Sequence, residues 1–558
     1  RWIAYLSDAT GEYEIYVRPQ DGRGEPRRLT RGGDVWMFAP AWSPDSRKLA
    51  FGDRRHRLRV LDVESGEILE VDRGTREDLD VYRWSPDGAW LAYEKSRETR
   101  LPGIALWSLE SRRSFPLGDG QTADWNPAWS ADGRHLFFLS NRDYQPVFSA
   151  YEFDYLYARA TRVYAAAIDP SAPPLFPPRS DEEPPAEAGA KDKGEDEPKK
   201  PEAGAGKEKA KVPLVVEPEG FAARTVALPG PKAGAYHGLE GSAKAVFYVR
   251  TDEAGERALW RFDLEDRKEE KVLDGVQRYT LSADGKKLLY RAGKEWGIAD
   301  AKAGLKAGDG RLDLSGLRAK LDPRAEWRQM FLDGWRIVRD WFYDPNLHGV
   351  DWEGMRERYG ALLPFAAHRA DLDFLFGEMM GELEAGHTYV SSGDEPRVPR
   401  VPGGMLGCEL AADPSGRYRI AKIFPGENWH ADWRSPLTEP GVGVKEGEFL
   451  LAIDGRDLKT SDNPYRLLEN KADKPVVLTV AAAPETRGAR DVTVRPVASE
   501  LNLRYLDWVR GRMELADRLS GGRVGYLHLP DTAIPGNRML QKLFYAQSSK
   551  PALIVDDR

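Results

Sequence analysis

The feature that most constrains this chain is a tight turn followed by a strand, repeated along its first half. It reads WSPDSRKLAFG from Trp42, WSPDGAWLAYE from Trp84, WSADGRHLFFL from Trp129 and LSADGKKLLYR from Leu281. The first three copies start 42 and 45 residues apart, a period that suits four short strands per unit. Proline followed by Asp-Gly turns the chain back, and the strand after it alternates or runs apolar into a core. Weaker copies of this inner strand occur at WIAYLSD (Trp2) and AVFYVRT (Ala245), and outer strands of the IYVRPQDG and IALWSLES type begin at Ile15 and Ile104. Six copies imply a β-propeller with about six blades seen and the first truncated, because one four-stranded sheet cannot bury both its faces alone. Blades are expected over 1–170 and again over 212–310. They serve either as a docking platform or as a substrate channel, and His56, His135 and His237 within them read as ordinary strand or loop residues.

The repeat is interrupted over 171–211 by a stretch rich in Pro, Ala, Gly and charges of both signs, with no aromatic after Phe176. Such a composition buries too little to offset its ordering entropy, so a disordered loop extruded from a blade is expected. The whole chain has 82 basic and 90 acidic residues, a net charge of −8, and no basic block is left to neutralise phosphates, which argues against nucleic-acid binding. No apolar run approaches the roughly 20 residues of a membrane helix. Cys408 is the single cysteine, so an internal disulfide and a cysteine-based zinc site are excluded, and the scattered histidines show no metal-ligand pairing; no metal or cofactor is expected. Both ends read as cut, the first within a strand at RWIAYLS and the last at the strand PALIVDDR.

After Leu321 the period changes. Trp327, Met330, Phe331, Trp335, Val338, Trp341 and Phe342 form a helical stripe ended by Asp344-Pro345. A second helix is expected from Trp352 to Leu363, and a third from near Asp371 carries Leu372, Leu375, Phe376, Met379, Met380 and Leu383. Gly386 stands where a left-handed helix-ending residue is wanted, which puts His387 at the helix mouth, where the dipole favours imidazolium. From its spacing alone His387 reads as a structural or capping residue or as a catalytic base.

Residues 400–498 resemble a PDZ domain: the loop GGMLGCELAA, the turn and strand GVKEGEFLLAIDGRDL, the short helix NPYRLLEN and the closing strands PVVLTVAA and DVTVRPV. In that domain the loop before the first core strand receives a peptide carboxylate; here it is Met405, Leu406, Gly407 and Cys408, which either bind peptide or belong to a spacer. Cys408 reads as a small buried apolar residue. RVGYLHLPDT and KPALIVDDR around NRMLQKLFYAQSS make a strand-helix-strand unit, so 499–558 begins an α/β domain, with His528 a structural residue inside a strand.

The order propeller, helical segment (320–392), PDZ-like module and α/β domain resembles the tricorn branch of the C-terminal-processing-type serine peptidases. EWRQMFLDGWRIVRDWFYDP and DLDFLFGEMMGELEAGHTYV are, with the PDZ-like block and GYLHLPDT…ALIVDDR, its most specific parts. The resemblance implies that His387 is the catalytic base of an enzyme hydrolysing short peptides inside a homohexamer, cytoplasmic unless a leader upstream of residue 1 sends it to the periplasm. In the family this segment ends in a Ser-His or a Gly-His pair; Gly386 departs from the archaeal type, in which a serine of the catalytic tetrad precedes the histidine. The nucleophilic Ser, the oxyanion-hole residues and the charge-relay Glu of the family fall beyond Arg558, so this piece alone is expected to be inactive. Two rivals remain: a non-catalytic propeller–PDZ scaffold that binds peptides, and a Ser-Lys processing peptidase, a class that usually lacks a propeller.

Overall fold

A computed structural model describes residues 2–144, 146–149, 154–156, 160–178, 214–252, 254–391 and 398–558, in two compact units, Arg1–Asp394 and Glu395–Arg558. Among the described residues of the first unit six antiparallel sheets of three or four strands follow one another over 2–28, 41–73, 82–116, 124–227, 235–274 and 276–300, with a two-stranded hairpin, Val147–Ser149 and Asp154–Leu156, inside the fourth span. The middle four have four strands each in chain order, and the first and last have three. A bridge between Gly297 and Arg311 stands at the open edge of the last. The strands read as outer, Glu14–Pro19 and Pro102–Ser108, each carry a further strand outside them, Arg27–Arg28 and Arg113–Pro116.

The repeated turn has one hydrogen-bond design. The serine hydroxyl donates to the aspartate two residues on, at 2.6 Å in Ser43–Asp45, Ser85–Asp87, Ser130–Asp132 and Ser282–Asp284. The same oxygen accepts the N–H that opens the returning strand, from Lys48, Trp90, His135 and Lys287. The corner is left-handed, at Gly88, Gly133 and Gly285 and, in the second sheet, at Ser46 (φ 60°). Neighbouring sheets are also tied by the indoles: Trp84 Nε1 donates to the Ala41 carbonyl and Trp129 Nε1 to that of Arg83.

Apolar clusters fill the space between consecutive sheets. Leu49 and Phe51 pack towards Ile15 and Val17 of the first sheet, and Ala50 packs towards Leu91 and Tyr93 of the third. Leu136 and Phe138 face Ile104 and Leu106, and Phe137 and Leu139 face Val246 and Tyr248. In the second to fifth sheets the second strand is therefore buried on both faces over its middle, which is why it reads as a continuous apolar run. The interruption of the repeat falls between Arg162–Ala167 and Thr225–Ala227, the third and fourth strands of the fourth sheet. Of the loop expected at 171–211, residues 179–211 lie outside the described residues. Its N-terminal flank is packed: Leu175 and Phe176 lie against the core shared by the fourth and fifth sheets, with Phe176 edge-on to Phe262.

The helical segment contains α1 (Pro323–Trp341), α2 (Trp352–Gly360) and α3 (Arg369–Gly381). Asp322 caps α1 through the Arg324 N–H, and His368 and Asp371 form a reciprocal cap at the start of α3. The second helix stops three residues before the expected Leu363, which belongs to a separate 3₁₀ turn. Phe331 and Trp335 of α1 join Trp352, Leu372, Met379 and Leu383 in one core. The opposite face of α1 docks on the propeller. Arg336, 2% exposed, donates to the Gly11 carbonyl (2.7 Å), Asp8 (2.5 Å) and Asp333 (2.7 Å), with the Tyr13 ring beneath it. Arg339 makes a forked pair with Glu12, Asp340 accepts the Trp36 N–H, and Arg54 lies over the Trp341 ring.

In the second unit the strands Cys408–Ala412, Tyr418–Ile423, Phe449–Ile453, Val476–Ala481 and Arg490–Val494 form one antiparallel sheet around Ile420, Leu450, Ile453 and Leu478. It is followed by α4 (Leu501–Ser520), ended by left-handed Gly521. Two parallel strands, Val524–His528 and Ala552–Asp556, are then joined through α5 (Ile534–Phe544), the strand-helix-strand unit expected of an α/β domain. No helix among the described residues is long and apolar enough to cross a membrane.

Two expected outcomes test these contacts. Arg336→Ala leaves Asp8 and Asp333 without their shared cation and should cost about 2–3 kcal/mol in denaturant unfolding, several times the loss from an exposed pair such as Arg73–Glu70. Burial pushes the Glu94 carboxyl up to about 7, against the hydrogen bond from the Asn126 N–H. The folded state thus holds this proton more tightly than the unfolded chain. The associated stability is complete below about pH 4.5 and is lost as pH rises through 7. Glu94→Gln, which keeps an acceptor and cannot ionise, should gain on the parent between pH 5 and pH 8 by on the order of 2–3 kcal/mol in unfolding free energy. A pH-independent difference contradicts this.

Candidate active-site segment

The segment after α3 is held from both sides. Helix α3 ends at Gly381, five residues earlier than the sequence pattern implies. Leu383 and Glu384 turn back onto the carbonyls of Met380 and Gly381, and the left-handed corner is taken by Glu384 (φ 50°), not by Gly386. The reason is the side chain of Leu383, fully buried in the helical core, which fixes where the chain must leave the helix. Ala385 packs against the same core, and the Thr388 hydroxyl donates to its carbonyl. His387 therefore stands six residues beyond the helix, outside the last turn over which the dipole acts.

The His387 ring is exposed, and its Nδ1 lies 3.1 Å from the Tyr389 hydroxyl. No other hydrogen bond of this ring is found among the described residues. Two residues that sequence reasoning missed meet the segment: Tyr389 and, through the Leu383 carbonyl, His348 (2.8 Å from Nδ1). Neither carries a spacing signal. His348 stands on a turn whose visible cue is only Asp344-Pro-Asn with Gly349 closing it. Of the other histidines, His56 pairs with Asp78, His368 and His430 accept backbone N–H groups at helix starts, His528 meets Tyr505 and Trp508, and burial lowers the pKa of His135 and His237.

The loop expected to receive a peptide carboxylate is built into its own unit. Met405 exchanges backbone hydrogen bonds with Val497 (2.7 and 2.9 Å), the Gly407 carbonyl accepts from Phe424, and Leu406, Gly407 and Cys408 are buried. The Leu503 side chain lies 3.1 Å from where a Cβ on Gly407 would be, and the Ser435 hydroxyl 3.2 Å away. The first turn of α4 thus fills the space over the loop. Beside it Arg504 is shared by buried Glu500 and by Glu409, so its cation is already neutralised. Burial pushes the Cys408 thiol up to about 12, which removes it as a nucleophile. Cys408–Ala412 stays at the edge of the sheet. In the propeller, the first strands and repeated turns of the second to sixth sheets line a cavity of about 860 Å³, with Arg83 and Glu240 on its wall.

Residues 1–302 match the family model described as the tricorn protease second beta propeller domain, 323–381 the tricorn protease C1 domain and 404–499 the tricorn protease PDZ domain. His387 lies between the last two matches. Tricorn protease homolog 1 of Streptomyces coelicolor is 32% identical over 588 residues, covering 100% of this chain and 53% of that protein. Tricorn protease of Thermoplasma acidophilum is 24% identical over 532 residues, covering 94% and 47%. The crystal structure of the tricorn protease superposes on the whole chain and on 53% of its own with a TM-score of 0.80 at 20% identity, a likeness of fold. The chain spans about half the length of these relatives. With its propeller, its helical segment and its PDZ-like block each matched in the same order, the chain belongs to the tricorn protease family.

Proposed function

We propose that this chain is the propeller, helical and PDZ-like part of a serine peptidase of short peptides, and that His387 is its general base. The observation that carries the reading is an exposed imidazole whose Nδ1 meets the Tyr389 hydroxyl, with no other hydrogen bond of the ring among the described residues. For base catalysis Nε2 must hold the lone pair, so Nδ1 carries the hydrogen and donates to the Tyr389 oxygen. Tyr389 then does for the ring what the family's preceding serine cannot do here, since Gly386 has no side chain. A serine supplied by sequence beyond Arg558 attacks the scissile carbonyl. His387 takes its proton and returns it to the leaving amine, while backbone N–H groups hold the oxyanion.

The propeller cavity supports a role in admitting peptides, and the buried loop Met405–Cys408 supports a spacer role for the PDZ-like block over carboxylate capture. We assign the complete protein to a cytoplasmic homo-oligomer, the periplasm being the alternative. In this reading the piece ending at Arg558 has no peptidase activity of its own.

His387→Ala in the complete protein should lower kcat/KM for short peptides about 10³-fold or more. Because the ring is exposed, unfolding free energy should change by no more than about 0.5 kcal/mol. Near-normal turnover in that variant removes His387 from the mechanism.

A further inference from the structure

The last carbonyls of a helix lack intrahelical partners, and several at the end of α3 and in the turns that follow it are met by other groups. Tyr359 donates to the Glu378 carbonyl, the backbone turns of Leu383 and Glu384 use Met380 and Gly381, and Thr388 uses Ala385. The Leu383 carbonyl is taken by a side chain from a different element, His348, at 2.8 Å. That contact comes from an unusual backbone. Leu347 (φ 50°), His348 (φ 55°) and Gly349 (φ 82°) are all left-handed, a run that side-chain-bearing residues disfavour. Asp344 holds it open: its two carboxylate oxygens accept the N–H groups of Asn346 (3.0 Å) and His348 (2.9 Å).

The ring of His348 is specified at both nitrogens. A carbonyl oxygen only accepts, so Nδ1 carries a hydrogen; Nε2 of the neutral ring then accepts from the Tyr343 hydroxyl, with Phe342 edge-on to the imidazole. A strained turn, a fixed tautomer and an aromatic wall are spent on one carbonyl, four residues before His387. From there the chain has only Glu384, Ala385 and Gly386 in which to change direction, and glycine adds freedom at the last of them.

We infer that His348 is a positioning residue of the peptidase reaction: by gripping the Leu383 carbonyl it sets the exit of the chain from α3 and so the place of the His387 ring. This rests on the reading of His387 as the base. It goes beyond capping, because a cap serves stability, and a positioning residue affects turnover even where stability is kept. The step it serves is proton transfer at Nε2 of His387, where a displacement of about 1 Å is worth on the order of 10²-fold in rate.

The test uses the complete peptidase with His348→Leu, His348→Asn and Tyr343→Phe. Asparagine tolerates the left-handed backbone, and its amide N–H stands in for Nδ1–H. Leucine offers no donor. The expected result for His348→Leu is a 10- to 100-fold fall in kcat with KM within twofold, together with faster amide exchange across 383–388. His348→Asn should restore kcat to within about threefold of the parent and restore slow exchange. Tyr343→Phe, altered at an exposed ring that folding does not need, should lower kcat two- to fivefold. The inference is overturned if His348→Leu loosens 383–388 while kcat holds, if its loss lies in KM alone, or if His348→Asn regains protection without regaining kcat. Unchanged kcat in Tyr343→Phe also overturns it. His387→Ala, measured in parallel, separates the two readings: near-normal turnover there removes the base itself, whereas the exchange data report on the grip of His348 whatever the activity.

Discussion

Burial of a strand on both faces is the constraint from which the first unit follows. In His135–Ser140 all six residues are buried. Phe138 turns to the third sheet and Phe137 to the fifth, and each large apolar side chain buried in this way is worth roughly 1.5–3 kcal/mol. Neither face of such a strand can be left to water, so a sheet of this kind needs a neighbour on each side, which repetition of one unit supplies. The serine–aspartate turn makes that unit copyable, because its hydrogen bonds are closed within six residues and need no help from the surroundings.

Helix α1 converts this repeating body into support for chemistry. It is amphipathic with two buried faces of different character. Phe331 and Trp335 enter the apolar core that also holds Leu383, and Arg336, Arg339 and Asp340 bind the loops at 8–13 and 36–54 of the first two sheets. The polar face gives direction, since a guanidinium with three acceptors tolerates one orientation. The apolar face passes that orientation to Leu383. From there the contact with His348 and the short run to His387 carry it to the imidazole. The propeller thus bears on the His387 ring through packing and hydrogen bonds.

The elements closed by local chemistry were legible in the chain: the four turn copies, the helical stripe from Trp327 to Phe342 and the strand-helix-strand unit near the end of the second unit. The end of α3 was not. Gly386 carries the usual mark of a helix stop, yet the left-handed corner went to Glu384, because burial of Leu383 decided the exit before a glycine could. The loop Met405–Cys408 was recognised as a loop, but what covers it was not, since Leu503 and Arg504 come some hundred residues later in the chain.

By itself the sequence determined the repeat and the order of the modules. Each of these depends on residues near one another or on a period that survives in one dimension. Tertiary structure alone decided that Arg336 is a buried anchor rather than a solvated charge, that Tyr389 faces the ring of His387, and that His348 holds the carbonyl of Leu383. Those outcomes join residues dozens to hundreds of positions apart or depend on which way a corner turns, and no periodicity records either.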